Sequence, residues 1–395
     1  MQQTRYSADA SCKQKRAHLA DDRLSALPDV LLQEIMSFLK ARQVVQTCVL
    51  STRWRHLWCS VPCLDLDLEE FEDGDMEMSL DYHERQRQMW PNFEDFTDNL
   101  LYHKNIDIAL LDTFRMCCPS RYYVRDNSDR WIRRGIKHSP CWRVKTLHLS
   151  GISLVHHFAR HISSGCPFLE DLELKDYIGT LDDITSFSLK KLVIVGSYNL
   201  FCNPWTITTP ALASLCLSGI DCFGILNMTS LVNASIHLST YFEDDDDDDN
   251  ASLVNQVEFL YGLSNVSSLE LSDFRSIVVG DRSLKFPSFK NLRTLCLRNC
   301  DLSDDFRTLE LILENSLNLE RLTLRHCKFS KDSNRGEREA PKSKKTSSLD
   351  VRCENLKLTE ILYEDDDVRL LVEFLFDISE NLPNNTMKIT KIEDP

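Results

Sequence analysis

Residues 24–58 read LSALPDVLLQEIMSFLKARQVVQTCVLSTRWRHLW, and this stretch decides how the N-terminal part of the chain folds. Pro28 suits the first turn of a helix, where its missing N–H costs no hydrogen bond. The apolar residues that follow recur at three- and four-residue spacing, which predicts an amphipathic helix: Leu31, Ile35, Phe38 and Leu39. Some forty residues cannot bury a self-sufficient core, so we expect this segment to need a partner.

Two further short helices are predicted in the same stretch. The helical spacing repeats briefly through Val44, Val45, Cys48 and Val49. Ser51 is then a suitable N-cap for a third helix that carries Trp54, Leu57 and Trp58. The two tryptophans, one turn apart, should form a single ridge.

The pattern L-P-x-x-L-L-x-x-I-x-S-F-L, followed by V-V-x-T-C-V-L-S-x-R-W-R-x-L-W, closely resembles the plant F-box from Leu27 to Trp58. This resemblance implies docking onto a Skp-type adaptor, which links the F-box to a cullin–RING ubiquitin ligase. By motif position the adaptor-facing residues would be Leu27, Pro28, Ile35, Leu39, Val44, Cys48, Val49, Leu50, Ser51, Trp54 and Trp58. Gln43 departs from the family, in which an acidic residue often caps the second helix. The alternative is that these apolar residues form only an internal core.

Composition excludes several classes of protein. The chain has 395 residues, 42% hydrophobic and 27% charged, which is ordinary for a globular protein of two or three domains. A net charge of −15 argues against a nucleic-acid or anionic-membrane binder. No apolar run is long enough for a membrane span and the N-terminus lacks a signal peptide, so the nucleus, the cytoplasm or both are expected. The 15 cysteines are then expected as free thiols.

After the predicted F-box the chain repeats the template L-x-x-L-x-L, whose alternate apolar residues share one face of a short strand, at the period of leucine-rich repeats. Seven segments match it: Val144-Leu147-Leu149, Leu169-Leu172-Leu174, Leu189-Leu192-Ile194, Leu212-Leu215-Leu217, Val266-Leu269-Leu271, Leu292-Leu295-Leu297 and Leu319-Leu322-Leu324. Four weaker copies are Cys63-Leu66-Leu68, Leu111-Phe114-Met116, Leu231-Ala234-Ile236 and Cys353-Leu356-Leu358. Cys300 and Cys327 fall at the turn position that takes Asn or Cys in such repeats.

The remaining segments set the expected domain boundaries. Residues 1–20 are polar and unpatterned, which predicts a disordered arm. Acidic residues 69–77, the carboxylate run at 243–249 and the Lys/Arg-rich residues 329–348 predict solvated loops, because like charges repel and resist packing. The last two are expected to be disordered.

The tail after Leu349 predicts a strand, a helix and a closing strand, and this order resembles the FBD motif. With the F-box and the repeats, nearly the whole chain is similar to plant F-box/leucine-rich-repeat proteins with an FBD-like tail, including the meiotic F-box group of grasses. The predicted fold is α/β: a three-helix F-box at 21–62, a curved leucine-rich-repeat solenoid at 63–348 with inserts near 243–250 and 329–348, and a strand-helix-strand cap at 349–395.

The sequence carries no recognisable catalytic or metal-binding pattern. His157, His161 and Cys166 lie close in sequence but have no fourth ligand to close a zinc site. The carboxylate run lacks the glycine that an EF-hand loop requires. No Gly-rich phosphate loop, nucleophile elbow or C-x-x-C pair is present. We therefore expect no cofactor, no metal and no catalysis by this chain.

The residues flanking the inward leucines should form the exposed face of the repeats, where a target would bind. In the late repeats that face is cationic, with Arg298, Arg321, Arg325 and Lys357. Arginine forks suit carboxylates and phosphates, so an acidic or phosphorylated target segment is the hypothesis. The alternative is that these cations pair with neighbours such as Glu270 and Glu320.

The function predicted from these features is substrate recognition in an SCF-type ubiquitin ligase, with the F-box on the adaptor and the repeats on a target protein. The rival is a ligase-independent repeat scaffold, or a co-receptor that needs a small ligand. Neither nucleic acid nor a membrane is an expected partner.

Overall fold

The structure is a computed structural model that describes residues 24, 26–72, 82–102, 111–118, 130–132, 143–154, 158–179, 181, 183–196, 205–220, 224–238, 257–274, 286–303, 306–329, 355–363, 371–372, 374–375 and 385–391. The chain divides into two compact units. The first comprises Met1–Cys118 with Trp131–Val144, and the second comprises Pro119–Arg130 with Lys145–Pro395. The predicted disordered segments 1–20, 243–250 and 329–348 lie outside the described residues, except for Phe329.

The first unit begins with short helices. Their bounds are α1 Asp29–Met36, α2 Ala41–Gln46 and α3 Trp54–Leu57, with 3-10 turns at Thr47–Val49 and Trp58–Ser60. The chain continues through strand β1 (Cys63–Asp67), a 3-10 turn (Leu68–Phe71), α4 (Tyr82–Tyr102) and β2 (Thr113–Cys117). Strands β1 and β2 pair in parallel, Leu64 opposite Phe114 and Leu66 opposite Met116.

Two details of the first unit differ from the sequence-based expectation. Ser51 does not cap the third helix: its N-cap is Arg53, which already has helical dihedral angles after a turn at residues 52–53. The acidic stretch that starts at residue 69 is not wholly a solvated loop. Leu68 and Phe71 are buried, and the Phe71 ring packs on Phe93 of α4 with centroids 5.6 Å apart. The burial of Leu68 and Phe71 therefore outweighs the tendency of Glu69 and Glu70 to keep this segment in solvent.

The second unit is built on a large parallel sheet. Its strands are β3 Thr146–Ser150, β4 Asp171–Lys175, β6 Lys191–Val195, β8 Ser214–Ile220, β10 Asn233–Leu238, β11 Ser268–Ser272, β12 Thr294–Arg298, β13 Arg321–Arg325, β14 Leu358–Tyr363 and β15 Thr386–Lys391, and they neighbour one another in that order. A smaller parallel sheet joins β5 Ile184–Thr185, β7 Thr206–Thr208 and β9 Ile225–Asn227. Helices α5 (Phe158–Gly165) and α6 (Arg307–Glu314) and helical residues 257–262 lie between strands in the chain.

The register of the large sheet aligns the inward leucines in two continuous rows. One row runs through Leu147, Leu172, Leu192, Leu215, Ala234, Leu269, Leu295 and Leu322, and the other through Leu149, Leu174, Ile194, Leu217, Ile236, Leu271, Leu297 and Leu324. All these side chains are buried. The seven strong template matches and the weaker copies at Phe114 and Ala234 are confirmed, because period-two alternation leaves only one face that can bury every leucine.

Two weak copies were placed in the wrong register. In the first repeat the paired residues are Leu64 and Leu66, so the copy is two residues earlier than Cys63-Leu66-Leu68. In β14 the residues opposite Leu322 and Leu324 are Thr359 and Ile361, three residues later than Cys353-Leu356-Leu358 predicts. A buried threonine in the leucine row hid the true register, since the template accepts only apolar residues there.

The turns that follow β12 and β13 confirm the structural role predicted for Cys300 and Cys327. The residue after each strand, Asn299 or His326, has positive φ, of 52° and 51°. The next residue in each case is the cysteine. Its Sγ donates to backbone carbonyls, with Cys300 bonded to Arg298 at 3.3 Å and Cys327 to Leu297 at 3.5 Å. These thiols satisfy turn carbonyls and are parts of the fold.

Replacing Leu295 by alanine should lower the free energy of unfolding of the second unit by about 2–5 kcal/mol, because the fully buried side chain leaves a cavity in the leucine row. Chemical denaturation monitored by circular dichroism measures the change. Thr294→Ala, one residue away on the opposite face, is the control and should cost less than about 1 kcal/mol. Equal losses for the two variants would contradict the inward placement of the row.

Within the described ranges, no helix combines the length and the apolar character needed to cross a bilayer.

Candidate functional site

The α1–α3 module has its own small core. Leu32 and Met36 of α1 point inward and pack with Val44, Trp54, Leu57 and Val61, and Leu27, Leu39 and Trp58 close over this cluster. Leu32, Met36 and Leu39 follow helical spacing, so they form the inward stripe of α1. The stripe predicted from the sequence was Leu31, Ile35, Phe38 and Leu39, and of these only Leu39 packs against this cluster.

The rest of that predicted stripe faces away from the core. Leu31, Ile35 and Phe38 share one side of the α1 segment at helical spacing, and their exposed fractions are 44%, 44% and 85%. Val30 of α1 and Val49 and Leu50 after α2 are also exposed, by 70%, 83% and 61%. Of the fifteen exposed large apolar side chains in the described part of the chain, seven lie between Leu24 and Leu50. Helix α1 is thus apolar on two faces and buries only one.

Arg53 fixes the start of α3 against the start of α1. Its Nε donates to Asp29 Oδ1 at 2.8 Å, and its Nη2 donates to the Leu27 carbonyl at 2.5 Å. Asp29 lies in the first turn of α1, where the helix dipole favours a carboxylate. The exposed stripe is therefore presented on helices whose ends are tied together.

The same module is joined to the strand that follows it. Lys40 forms an ion pair with Asp67 at the end of β1. The Arg42 amide donates to Glu70 Oε2 at 3.3 Å, and its guanidinium lies 4.8 Å from the centre of the Phe71 ring. Burial raises the pKa of the Glu70 carboxyl, and the backbone amide of Arg42 lowers it. These contacts hold α2 on β1 and the turn after it.

The predicted adaptor-facing residues divide into three groups by burial. Pro28, Ile35, Val49, Leu50 and Ser51 are exposed; Leu27, Leu39, Cys48 and Trp58 are half-buried; Val44 and Trp54 are buried in the module's own core. Sequence reasoning missed the exposed Leu24, Val30, Leu31 and Phe38 as surface groups. The sequence did contain a signal for these exposed residues, because α1 carries two apolar stripes. A helix that buries a single face needs only one such stripe.

The four predicted target-binding cations do not form one cluster. Arg298 and Arg325 are register partners at the ends of β12 and β13, on the face opposite the leucine rows. Arg321 lies at the other end of β13, about 13 Å away along the strand. Lys357 precedes β14 and pairs with Glu320 at 2.8 Å. The structure brings together only Arg298 and Arg325.

Two of these four cations form ion pairs with neighbouring carboxylates, as the alternative hypothesis expects. Arg298 Nη2 lies 3.0 Å from Glu270 Oε1, and Lys357 is bound to Glu320, as noted. No carboxylate in the described part of the chain lies within ion-pairing distance of Arg321 or Arg325.

Among the described residues, no group of three or more His, Cys, Asp or Glu side chains could hold a metal ion. His161 lies in α5 and Cys166 is buried directly after it, whereas His157 lies outside the described residues.

Comparison with known proteins agrees with this architecture. An F-box domain model matches residues 24–66. The chain is 33% identical over 417 residues to the meiotic F-box protein MOF of Oryza sativa subsp. japonica, which covers 91% of this chain and 84% of that protein. It is 28% identical to an F-box/FBD/LRR-repeat protein of Arabidopsis thaliana, over 77% of each chain. An F-box/LRR-repeat protein of the same plant is 25% identical over 77% of this chain and 76% of its own length. The chain belongs to the plant F-box protein family whose members carry leucine-rich repeats and an FBD region.

Proposed function

We propose that this chain is the substrate-recognition subunit of an SCF-type ubiquitin ligase. The α1–α3 module docks a Skp-type adaptor, and the second unit binds a target protein. The observation that carries the proposal is the exposed apolar stripe Leu31, Ile35 and Phe38 on a helix whose other face is already buried. Exposed apolar patches mark interaction sites, and F-box domains generally bind Skp1-type adaptors.

The proposed interface is anchored by the exposed residues. Phe38 and Val49 have the largest exposed fractions among the apolar side chains of the module, so they gain most from burial on an adaptor. The buried Val44 and Trp54 would support the interface from behind, and the half-buried Trp58 would lie at its border. Arg53 and Arg42 would act by holding α1, α2 and α3 in place before the adaptor arrives, which lowers the entropic cost of docking.

The repeats from residue 63 to residue 348 are proposed to form a curved leucine-rich-repeat solenoid, closed by an FBD-like cap from residue 349. Its strands run in chain order and repeat one register, which supports that interpretation. The polar face opposite the leucine rows would hold the target. The subunit itself would not be catalytic, because its contribution is proximity: a bound target lysine meets the charged E2 at a high effective concentration.

Co-expression of the full chain with a Skp-type adaptor tests this proposal. We expect the two proteins to co-purify in equal amounts and to join a cullin–RING assembly. A chain that folds but captures no adaptor would instead favour the ligase-independent scaffold. Capture of the adaptor without any ubiquitin transfer by the reconstituted assembly to proteins held by the chain would contradict the receptor role.

A further inference from the structure

Two arginines stand side by side on the polar face of the large sheet. Arg298 and Arg325 end strands β12 and β13 and are register partners, so their Cα atoms are about 4.8 Å apart across the sheet. Both belong to the second unit. Like charges placed directly opposite on neighbouring strands are destabilising, so this pair has no structural advantage of its own.

Neither guanidinium is fully satisfied. The Nε atoms of both arginines are buried and donate no hydrogen bond within the described residues. Arg325 has no carboxylate partner there, and its register partner on β14 is Leu362, which has no acceptor in its side chain. Buried donors usually have a hydrogen-bond partner, and a charged one leaves the larger deficit. The Arg325 guanidinium therefore has no anionic partner among the described residues, and a bound anion would supply one.

The carboxylates near the pair compensate only one of its two positive charges. Glu270 on β11 holds Arg298 at 3.0 Å, with side-chain exposures of 33% and 42%. Glu360 on β14 is paired with Lys388 at 3.5 Å, and Asp273, directly after β11, lies 2.7 Å from His237. Only Glu270 is within ion-pairing distance of the arginine pair among the described residues.

The Cys296 thiol lies two residues before Arg298, on the same face of the sheet. Burial raises the pKa of this thiol, Glu270 raises it further, and Arg325 and Arg298 lower it. The register places Cys296 opposite Glu270 and Arg298 opposite Arg325, so the three charged side chains lie on the same part of the polar face.

We propose that Arg298 and Arg325 bind a phosphorylated serine or threonine of the target protein, and that Glu270 is an internal competitor which makes the site prefer phosphate to carboxylate. This inference rests on the proposed function, because it names the class of target segment that the second unit would recognise. A carboxylate from a target could bind Arg325, but it would have to displace Glu270 to reach Arg298 as well, and that exchange of one carboxylate for another gains little. A phosphate carries about two charges and three acceptor oxygens, so it can bridge both guanidinium forks.

The exchange at Arg298 is feasible because the Glu270 pair is partly exposed, and such pairs contribute little to stability. Glu270 would move off Arg298 as the phosphate arrives. Arg321, at the far end of β13, and Lys357, which is held by Glu320, are outside this site. The site is thus narrower than the four-residue cationic surface expected from sequence.

The test uses the full chain co-purified with its adaptor and three fluorescent pools of degenerate peptides, with phosphoserine, glutamate or serine at the centre. Fluorescence anisotropy should show tightest binding of the phosphoserine pool. Arg298→Gln and Arg325→Gln should each weaken that binding about ten- to a hundredfold, as expected for loss of a charged hydrogen-bond partner. Glu270→Gln should strengthen it several-fold and should reduce the preference for phosphate over glutamate.

Arg293→Gln is the matched control, since it removes the same charge five residues before Arg298 from an exposed side chain that pairs with Glu320. It should leave binding of the phosphoserine pool unchanged. Arg325→Lys keeps a charge and a long stem but loses the fork, so it should bind the pool more weakly than the wild type and more tightly than Arg325→Gln. If Arg325→Gln does not fold, the lysine variant still decides the question.

Equal binding of the phosphoserine and glutamate pools by the wild-type chain would overturn the inference, as would undiminished binding by folded Arg325 variants. Weaker binding by Glu270→Gln would overturn the competitor role. Adaptor capture is measured on the same samples. Loss of phosphoserine preference with adaptor capture intact refutes this inference alone, whereas absence of adaptor capture refutes the proposed function.

Discussion

Phe38→Ser combined with Val49→Ser should abolish capture of a Skp-type adaptor while leaving both units folded. The two side chains are 85% and 83% exposed, so their loss removes apolar surface without opening a cavity in the core. Truncating an interface anchor typically costs 2 kcal/mol or more, which makes the double change worth about 4 kcal/mol, or about a thousandfold in Kd. Co-purification and titration calorimetry measure the loss.

Phe187→Ser is the matched control for that double variant. Phe187 is 79% exposed but belongs to the second unit, so its replacement removes similar apolar surface away from the F-box. Adaptor capture should be unchanged. Full capture by the Phe38/Val49 variant, or equal losses in the variant and the control, would show that the outward stripe is not the docking surface.

Trp54→Ala should unfold the α1–α3 module, and adaptor capture should be lost with it. Trp54 is only 6% exposed and packs with Leu32, Met36 and Leu57, so the deletion costs about 3–5 kcal/mol in a core too small to absorb it. Hydrogen exchange measures this directly: amides of residues 29–58 should lose protection. Protection of the strands of the second unit should persist.

Arg55→Ala is the control for the tryptophan variant, because the neighbouring Arg55 side chain is exposed. It should leave amide protection unchanged. If Trp54→Ala kept full protection but lost the adaptor, Trp54 would be a direct contact, as motif position implies, and its burial in the free chain would have to change on docking.

Much of the second unit followed from alternation alone. Two inward residues per strand, spaced by two, can be buried together only if every strand keeps the same register, and so the rows through Leu147 and Leu149 were predictable. The register of β14 was not, because the residue that enters the row is Thr359. The buried Thr359 hydroxyl lies 3.3 Å from Asn385 Oδ1 and forms a hydrogen bond with it. A template made only of apolar residues cannot predict that contact.

The F-box and the parallel repeats could be predicted from the sequence alone, because each depends on the order and spacing of residues along one segment. The buried stripe of α1 could not be predicted in this way, since both stripes have helical spacing and the burial depends on contacts with Trp54 and Leu57 from another helix. Only the tertiary structure places Arg298 beside Arg325 and Arg321 apart from them. The distance between two guanidinium groups on neighbouring strands depends on the register of those strands. The positions of charged residues along the sequence do not reveal that register.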